Sequence, residues 1–368
     1  MNIDLRVEAG SDAGRAADTL AKPLSFGAAF ADLMCVVHHH KDQGWHDAAI
    51  VPYAPISLSP SAKVLHYGLE VFEGHKAYRW QNGEVALFRP DCNAERLNAS
   101  AARMRMPTVP LELQREATLR LIDLLRAWVP SVPGSSLYVR PMIIATEPTL
   151  GVVPAATHMY LILAALAGPY FAGGFASISI VAETLQPRAV PGGIGEAKTG
   201  ANYAAGMDAK ARAKAAGFDE VLFLDAIEHR YLEELSGMNV FVVEEGKRLV
   251  TPPLGGTILR GITRRSILEL ASDLGLEAEE RPLAVDDVVR WIDDGTVTEM
   301  MAVGTAAVVT PIGHLTLHGV RHTIRDGSPG PVARKVYDAI TGIQYGREPD
   351  RRDWMRVVSA SGSVSDTP

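Results

Sequence analysis

From Met159 to Ala182 the chain carries no charged residue, and how that stretch folds decides between a membrane protein and a water-soluble one. A run of about 20 apolar residues is enough to span a bilayer as a helix. Here Gly168-Pro169 and Gly173-Gly174 cut the run into MYLILAALA and ASISIVA. Short apolar runs rich in β-formers and bounded by Gly and Pro predict buried strands instead. With 368 residues, 47% of them hydrophobic, the chain exceeds the roughly 250–300 residues that one core usually serves. Two domains follow.

The sequence around these strands is a mixture. EVALFRP and SSLYVRPMIIA predict strands, as does HYGLEVFEGHKAY, and DCNAERLNASAARM predicts a helix. NYAAGMDAKARAKAAG predicts one helix ending at Gly217, and EVLFLD predicts a strand. NVFVVEEGKRLVTP predicts a hairpin turning at Glu245-Gly246. Ile267, Leu270, Ala271 and Leu274 mark one helix, and Val332, Val336, Ile340 and Ile343 another. The expectation is a two-domain mixed α/β fold with a cleft between the domains. Composition divides it into a small domain over 1–171, a linker over 172–190 that runs into QPRAVPGG, a large domain over 191–346 and a tail over 347–368. The first ~25 residues are polar enough to be loosely ordered, as is the tail.

Charge and cysteine content narrow the function. A net charge of -7 points to no nucleic-acid or anionic-membrane partner. Cys35 and Cys92 are the two cysteines, and they form no CxxC, which suits a reducing compartment. The N-terminal segment has no apolar core and four acidic residues, unlike a secretory or transit peptide. A cytoplasmic protein is expected.

Four segments could carry chemistry. In GGIGEAKTGANY, Lys198 sits among small residues, and backbone that can approach closely is what a Schiff-base lysine needs. A glycine-rich surface turn with a solvated lysine fits the same letters. A phosphate loop does not, because it must follow a hydrophobic strand directly and LQPRAVP precedes it. Glu233 and Glu234, in RYLEELSGMNVFVV, end a strand. A buried carboxylate there could hold a proton on a pyridine nitrogen, whereas Glu233 is expected to be solvated. RGITRRSILELA opens a helix with Thr263 as its expected N-cap, a setting that favours phosphate. In MMAVGTAAVV a strand breaks at Gly304-Thr305-Ala306, which could offer a hydroxyl and amides to an anion.

With these segments in view, the sequence resembles the branched-chain aminotransferases, class IV (fold type IV) pyridoxal-phosphate enzymes. FGAAFADLM, HYGLEVFEGHKAY, LFRPDCNAERL, LYVRPMIIATEPTLGV, EAKTGANY, EELSGMNVF, GITR and GTAA occur in family order between about Phe26 and Gly346. The resemblance implies fold type IV, with a smaller N-terminal and a larger C-terminal domain and pyridoxal 5'-phosphate in the cleft. It implies that Lys198 carries the cofactor as a Schiff base and shuttles the proton, that Tyr203 bonds its phenolic oxygen, and that Glu234 contacts its ring nitrogen. Arg96, Ile262, Thr263 and Thr305 would bind its phosphate, with Arg89 the rival to Arg96. Phe30, Tyr67, Phe72, Tyr138 and Arg140 would line the substrate pocket, and Thr305 and Ala306 would receive the α-carboxylate. Leu150 and Val152 would reach into a partner subunit's site, so a homodimer is implied. The implied reaction moves the amino group of leucine, isoleucine or valine to 2-oxoglutarate by a ping-pong route, with amino acids and 2-oxo acids as the small-molecule partners.

The chain departs from the family pattern in places. Arg260 precedes GITR where proline is usual, and SGMN replaces the common turn beside the cofactor. Ala307 and Thr310 stand where some animal members carry a CxxC, so no thiol switch is expected. His38-His39-His40 alternate faces on a strand and make a poor metal cluster, and no metal is expected. His66 is expected to be structural. The rival readings are a D-amino acid aminotransferase, an aminodeoxychorismate lyase, a specialised-pathway aminotransferase and, from another class, a nucleotide-binding ATPase.

Overall fold

A computed structural model describes residues 5–168 and 175–359. The described residues pack as two units, one of 5–168, 197–200 and 342–359 and the other of 175–196 and 201–341. The described residues of each contribute a nine-stranded sheet and a separate apolar core.

In the first unit the strands are β1 (Arg6–Val7), β2 (Leu33–His40), β3 (Gly44–Pro52), β4 (Glu70–Phe72), β5 (His75–Arg79), β6 (Val85–Phe88), β7 (Ser136–Ala145) and β8 (Thr157–Ala167). Their order is β1-β3-β2-β8-β7-β5-β6, then Met355–Val357, with β4 laid on β7. Helices α1 (Ala13–Leu20), α2 (Lys63–Tyr67), α3 (Pro90–Arg103) and α4 (Leu111–Leu124) accompany them. The core side chains come from both sources: Val71, Val139, Ile143 and Ile162 from strands, Leu97, Leu113 and Leu121 from helices.

The second unit holds β9 (Ile178–Glu183), β10 (Glu220–Leu224), β11 (Leu232–Leu235), β12 (Asn239–Glu244), β13 (Arg248–Thr251), β14 (Glu277–Glu280), β15 (Val297–Gly304), β16 (Val308–Leu317) and β17 (Val320–Thr323). The order is β11-β10-β9-β16-β15-β12-β13-β14, and β11 also pairs with β12 through Glu234 and Asn239. That pairing closes a ring of six strands, so the inner apolar face has no open edge. Helices α5 (Gly200–Ala205), α6 (Met207–Ala215), α7 (Ile262–Leu270), α8 (Val285–Asp293) and α9 (Pro331–Gln344) complete it.

Several expectations needed correcting. Residues 172–190 are not simply a linker, because β9 lies between β10 and β16 in the second sheet. The segment 347–368 is not simply a tail, since Met355–Val357 pairs with β6 and its described part, 347–359, belongs with the first unit; residues 360–368 lie outside the described set. The first 25 residues include α1, whose N-cap Asp12 accepts from the amides of Gly14 and Arg15 at 2.9 and 3.1 Å, and Ala16 is fully buried. HYGLEVFEGHKAY is a short helix and two strands broken at Glu73-Gly74. The expected single helix after Asn202 breaks at Gly206, where a Cβ would stand 3.3 Å from the Phe223 ring. The hairpin turns where expected, with positive φ at Glu245 and Gly246. MYLILAALA and ASISIVA lie in β8 and β9, and among the described residues no helix is long and apolar enough to cross a membrane.

His75 and His158 are buried in the first unit, and desolvation pushes each down to about 4 from 6.5. The unfolded chain therefore takes up protons between pH 6.5 and 4 that the folded chain refuses. Stability is full above pH 6.5 and falls through this window, by at most about 1.4 kcal/mol per pH unit for each histidine. In denaturant unfolding, His75→Gln is expected to flatten the slope between pH 4 and 6.5 and leave the slope at pH 7–8 alone. An unchanged acid slope would show that His75 contributes nothing to it.

Candidate active site

Lys198 comes from the C-terminal half of the sequence, yet residues 197–200 pack with the first unit. Its amide donates to Ser100 Oγ at 2.9 Å and its carbonyl accepts from the Phe72 amide at 2.9 Å. These bonds tie its backbone to both α3 and β4. Its Nζ stands 4.7 Å from the centre of the Phe72 ring, within cation–π reach. The next two residues are held by Glu70, whose carboxylate accepts from the Thr199 hydroxyl and the Gly200 amide. Burial raises the Glu70 carboxyl, and Gly200, Thr199, Arg140 and Lys198 oppose that rise. A Cβ on Gly200 would meet the Glu70 carboxylate at 2.5 Å, so glycine is what lets the segment lie this close.

Among the expected pocket residues of this unit, Phe72, Tyr138 and Arg140 form a connected group. The Arg140 guanidinium lies 4.6 Å from the Phe72 ring centre and 5.2 Å from that of Tyr138. It donates to the Tyr138 hydroxyl at 3.2 Å. Phe26 meets the Tyr138 ring edge-on at 5.0 Å. Phe30 and Tyr138 both pair with Ala165, and Phe30 stacks on Tyr53. Tyr67, at the end of α2, donates to the Leu150 carbonyl at 2.5 Å. Leu150 and Val152 are 61% and 82% exposed. Their loop is anchored by the buried Lys63, whose Nζ donates to Glu147 and to the Val153 carbonyl, both at 2.8 Å.

Arg96 and its rival Arg89 have different partners. Arg96 Nε donates to Glu73 Oε1 at 2.7 Å and one Nη to Oε2 at 2.9 Å, a fork-on-fork pair. Arg89 is buried at the N-cap of α3 with its guanidinium 4.6 Å over the Trp354 ring, in the role of an anchor for the C-terminal segment.

In the second unit, Glu234 is buried on β11. Its Oε1 accepts from Arg188 at 2.5 Å and from the Leu259 amide at 3.1 Å, and its Oε2 accepts from Asn239 at 2.9 Å. Tyr203, on α5, passes close to the turn after β11, since a Cβ on Gly237 would lie 3.7 Å from its ring. Helix α7 starts on Gly261, not on the expected Thr263, and no side chain caps it. Ile262 and Thr263 occupy its first turn, both buried. A Cβ on Gly261 would stand 1.9 Å from Asn239 Oδ1, so this glycine brings the helix start against the residue that bonds Glu234. Thr305 and Ala306 lie in the turn joining β15 to β16. Gly304 in that connection faces Met238 and Gly237. Glu234, Tyr203, the start of α7 and the 304–306 turn thus gather around the Gly237-Met238 turn.

Glu233 is not solvated as expected. It is buried, and desolvation raises its carboxyl against the Thr257 bond and the Arg188 charge. Arg260, the departure before GITR, forms an exposed pair with Glu196 at 3.0 Å. Ser236 of SGMN donates to Glu220 at 3.1 Å. Sequence reasoning missed Glu70, Glu73, Asn93, Arg188 and Asn239. For the two glutamates, the neighbouring Val71, Phe72 and Gly74 were the available signal. Arg188 lies in apparent linker and offers none.

A family model described as amino-transferase class IV matches residues 70–315, and the chain belongs to this family. Within it, the chain is 48% identical to the branched-chain-amino-acid aminotransferase of Mycolicibacterium smegmatis, over 91% of this chain and 92% of that one. It is 45% identical to branched-chain-amino-acid transaminase 1 of Bacillus subtilis, over 90% and 93%. The fold is similar to that of the Escherichia coli branched-chain amino acid aminotransferase, with a TM-score of 0.74 at 28% identity over 88% of this chain and 99% of that one. The branched-chain amino acid aminotransferase of Thermobaculum terrenum, solved in its PLP form, gives 0.71 at 27% identity over 88% and 98%. Fold type IV is the architecture of this chain.

Proposed function

We propose that this chain is a branched-chain-amino-acid transaminase that uses pyridoxal 5'-phosphate to move the amino group of leucine, isoleucine or valine to 2-oxoglutarate. The observation that carries the reading is the placement of Lys198, an amine beside an aromatic face with its backbone bonded on both sides.

Each chemical group that this cofactor needs has a candidate on this chain. An aldehyde calls for a primary amine, supplied by Lys198. A pyridine nitrogen calls for a buried carboxylate, supplied by Glu234 in its pair with Arg188. A phosphate calls for helix-start amides, hydroxyls and a guanidinium, supplied by Ile262, Thr263, Thr305 and Arg96. Tyr203 supplies a phenol for the ring oxygen. When bound, the cofactor supplies an electron sink for the carbon that loses its proton. Glu234 holds a proton on the ring nitrogen, since an adjacent negative charge favours the charged ring. Lys198 Nζ would take the substrate's α-proton and deliver it to the cofactor carbon that was the aldehyde, two bonds away, within reach of one flexible amine. Thr305 and Ala306 bind the α-carboxylate. Phe30, Tyr67 and Phe72 exclude water around an aliphatic side chain, while Tyr138 and Arg140 take the second carboxylate of glutamate.

The exposed Leu150 and Val152 are read as the part of a homodimer that enters the partner's site, held in shape by Lys63. A cytoplasmic location goes with this reading, because there the two free cysteines would stay reduced.

The deciding experiment follows the cofactor's spectrum in single half-reactions with leucine, isoleucine, valine, D-alanine and aminodeoxychorismate. Conversion by the three branched-chain L-amino acids and recovery with 2-oxoglutarate are expected. Conversion by D-alanine alone, or none by leucine, would overturn the reading. Gly74→Ala probes the pocket: its Cβ would stand 1.7 Å from the Tyr138 hydroxyl, so the phenol must move off Arg140. A displacement costing about 1–3 kcal/mol is expected to lower kcat/KM for 2-oxoglutarate by about 10–100-fold. The leucine half-reaction should change less, and equal losses for both substrates would argue against a carboxylate role for Tyr138.

A further inference from the structure

Residues 72–74 face four site groups at once. Phe72 meets Lys198 and Arg140, Gly74 lies under Tyr138, and Glu73 between them grips Arg96. The Glu73 side chain is essentially inaccessible, at 1% exposed against 11% for Arg96. Its carboxylate oxygens are fully engaged. Oε1 takes Arg96 Nε at 2.7 Å, and Oε2 takes Arg96 Nη at 2.9 Å, Asn93 Nδ2 at 2.7 Å and the Gly74 amide at 3.1 Å. Asn93 is itself tied to the Gly74 carbonyl at 3.1 Å. Burial alone would raise this carboxyl, but the Arg96 charge and bonds, with Lys198 and Asn93, hold it below its ordinary value.

A guanidinium on a long side chain has many rotamers, and binding a phosphate would have to freeze them. Two parallel bonds to a rigid carboxylate freeze them in advance and fix the plane of the fork. The pair is also neutral overall, so Arg96 contributes oriented donors more than net charge. We propose that Glu73 is a positioning residue for cofactor capture, orienting Arg96 toward the phosphate group of pyridoxal phosphate. This rests on the reading of Arg96 as a phosphate ligand.

The test measures equilibrium binding of pyridoxal phosphate and of pyridoxal, which lacks the phosphate, to apoenzyme by spectrum. For Glu73→Gln, the dissociation constant for pyridoxal phosphate is expected to rise about tenfold or more, as for loss of a bidentate charge-assisted pair. That for pyridoxal should stay within about twofold, because the lost orientation concerns only the phosphate. Glu73→Gln combined with Arg96→Ala should bind no worse than Arg96→Ala alone. Equal weakening of both ligands, tighter phosphate binding through removal of a negative charge, or full additivity in the double variant would each overturn the proposal. If Arg96→Ala leaves pyridoxal phosphate binding unchanged, the phosphate reading of Arg96 itself fails, and the proposal with it. Should Glu73→Gln not fold, Arg96→Lys supplies the check. It keeps the charge and loses the fork, so it should weaken the phosphate form nearly as much as Arg96→Ala, and binding like the parent protein would overturn the proposal.

Discussion

Replacing Lys198 by Ala is expected to abolish covalent attachment of pyridoxal phosphate and to lower transamination by at least about 10³-fold, the scale seen when a covalent catalytic group is removed. The reason is local to the segment. Among the residues bonded to it, Ser100, Phe72, Thr199 and Glu70 hold its backbone or flank it, and none offers a second amine. The alanine variant loses the proton carrier along with the covalent link, so the two losses compound. The fold should survive, because Lys198 is half-buried and outside the apolar core, which puts its contribution to stability within about 1 kcal/mol. Borohydride reduction of the loaded protein, followed by mass measurement, checks the assignment. Cofactor fixed to Lys198→Ala in the same amount as to the parent protein would sink it.

The parts that were legible and those that were not differ in kind. Apolar runs such as MYLILAALA and SSLYVRPMIIA announced β8 and β7 because burial imposes a run of like residues, and a run is visible in one dimension. Lys198 stood out because the backbone around it is glycine-rich, as its proposed role requires. Single buried charges leave no such trace. Glu73 and Arg188 have the same letters as solvated residues, and only the pairing of distant segments shows that each lies inside with an opposite charge. The N-cap of α7 was misjudged for a related reason. Thr263 has the usual capping hydroxyl, but the N-cap is Gly261, where Asn239 occupies the space a side chain would need. The apparent linker misled because QPRAVPGG is loop-like, while the strand just before it, Ile178–Glu183, gains its place only through β10 and β16.

Arg188→Ala should be the most costly substitution for the fold among the site residues. The Arg188 and Glu234 side chains are 5% and 4% exposed, 2.5 Å apart, and Arg188 also donates to the carbonyls of Gly195 and Thr257. Removing the arginine takes the opposite charge from a buried carboxylate, to which the Leu259 amide and Asn239 still donate, and costs two carbonyls a donor. Breaking one side of such a pair costs about 3–5 kcal/mol, measured as a fall in unfolding free energy in denaturant. The strain can be relieved in the folded state if Glu234 takes up a proton, and this links stability to chemistry. A neutral Glu234 no longer favours a proton on the ring nitrogen, so activity of Arg188→Ala at neutral pH should fall further than its folded fraction does. Raising the pH should restore part of it as the carboxylate ionises, shifting the acid limb of the rate profile upward. Arg188→Lys should recover part of the loss, because one arginine nitrogen meets the carboxylate and both carbonyls and an ammonium also carries its donors on one nitrogen. Combining Arg188→Met with Glu234→Gln should regain stability relative to Arg188→Ala without regaining activity. A single variant that loses under about 1 kcal/mol and keeps the parent pH profile would mean that the Arg188–Glu234 pair contributes neither to the stability of the strand ring nor to the chemistry assigned to it.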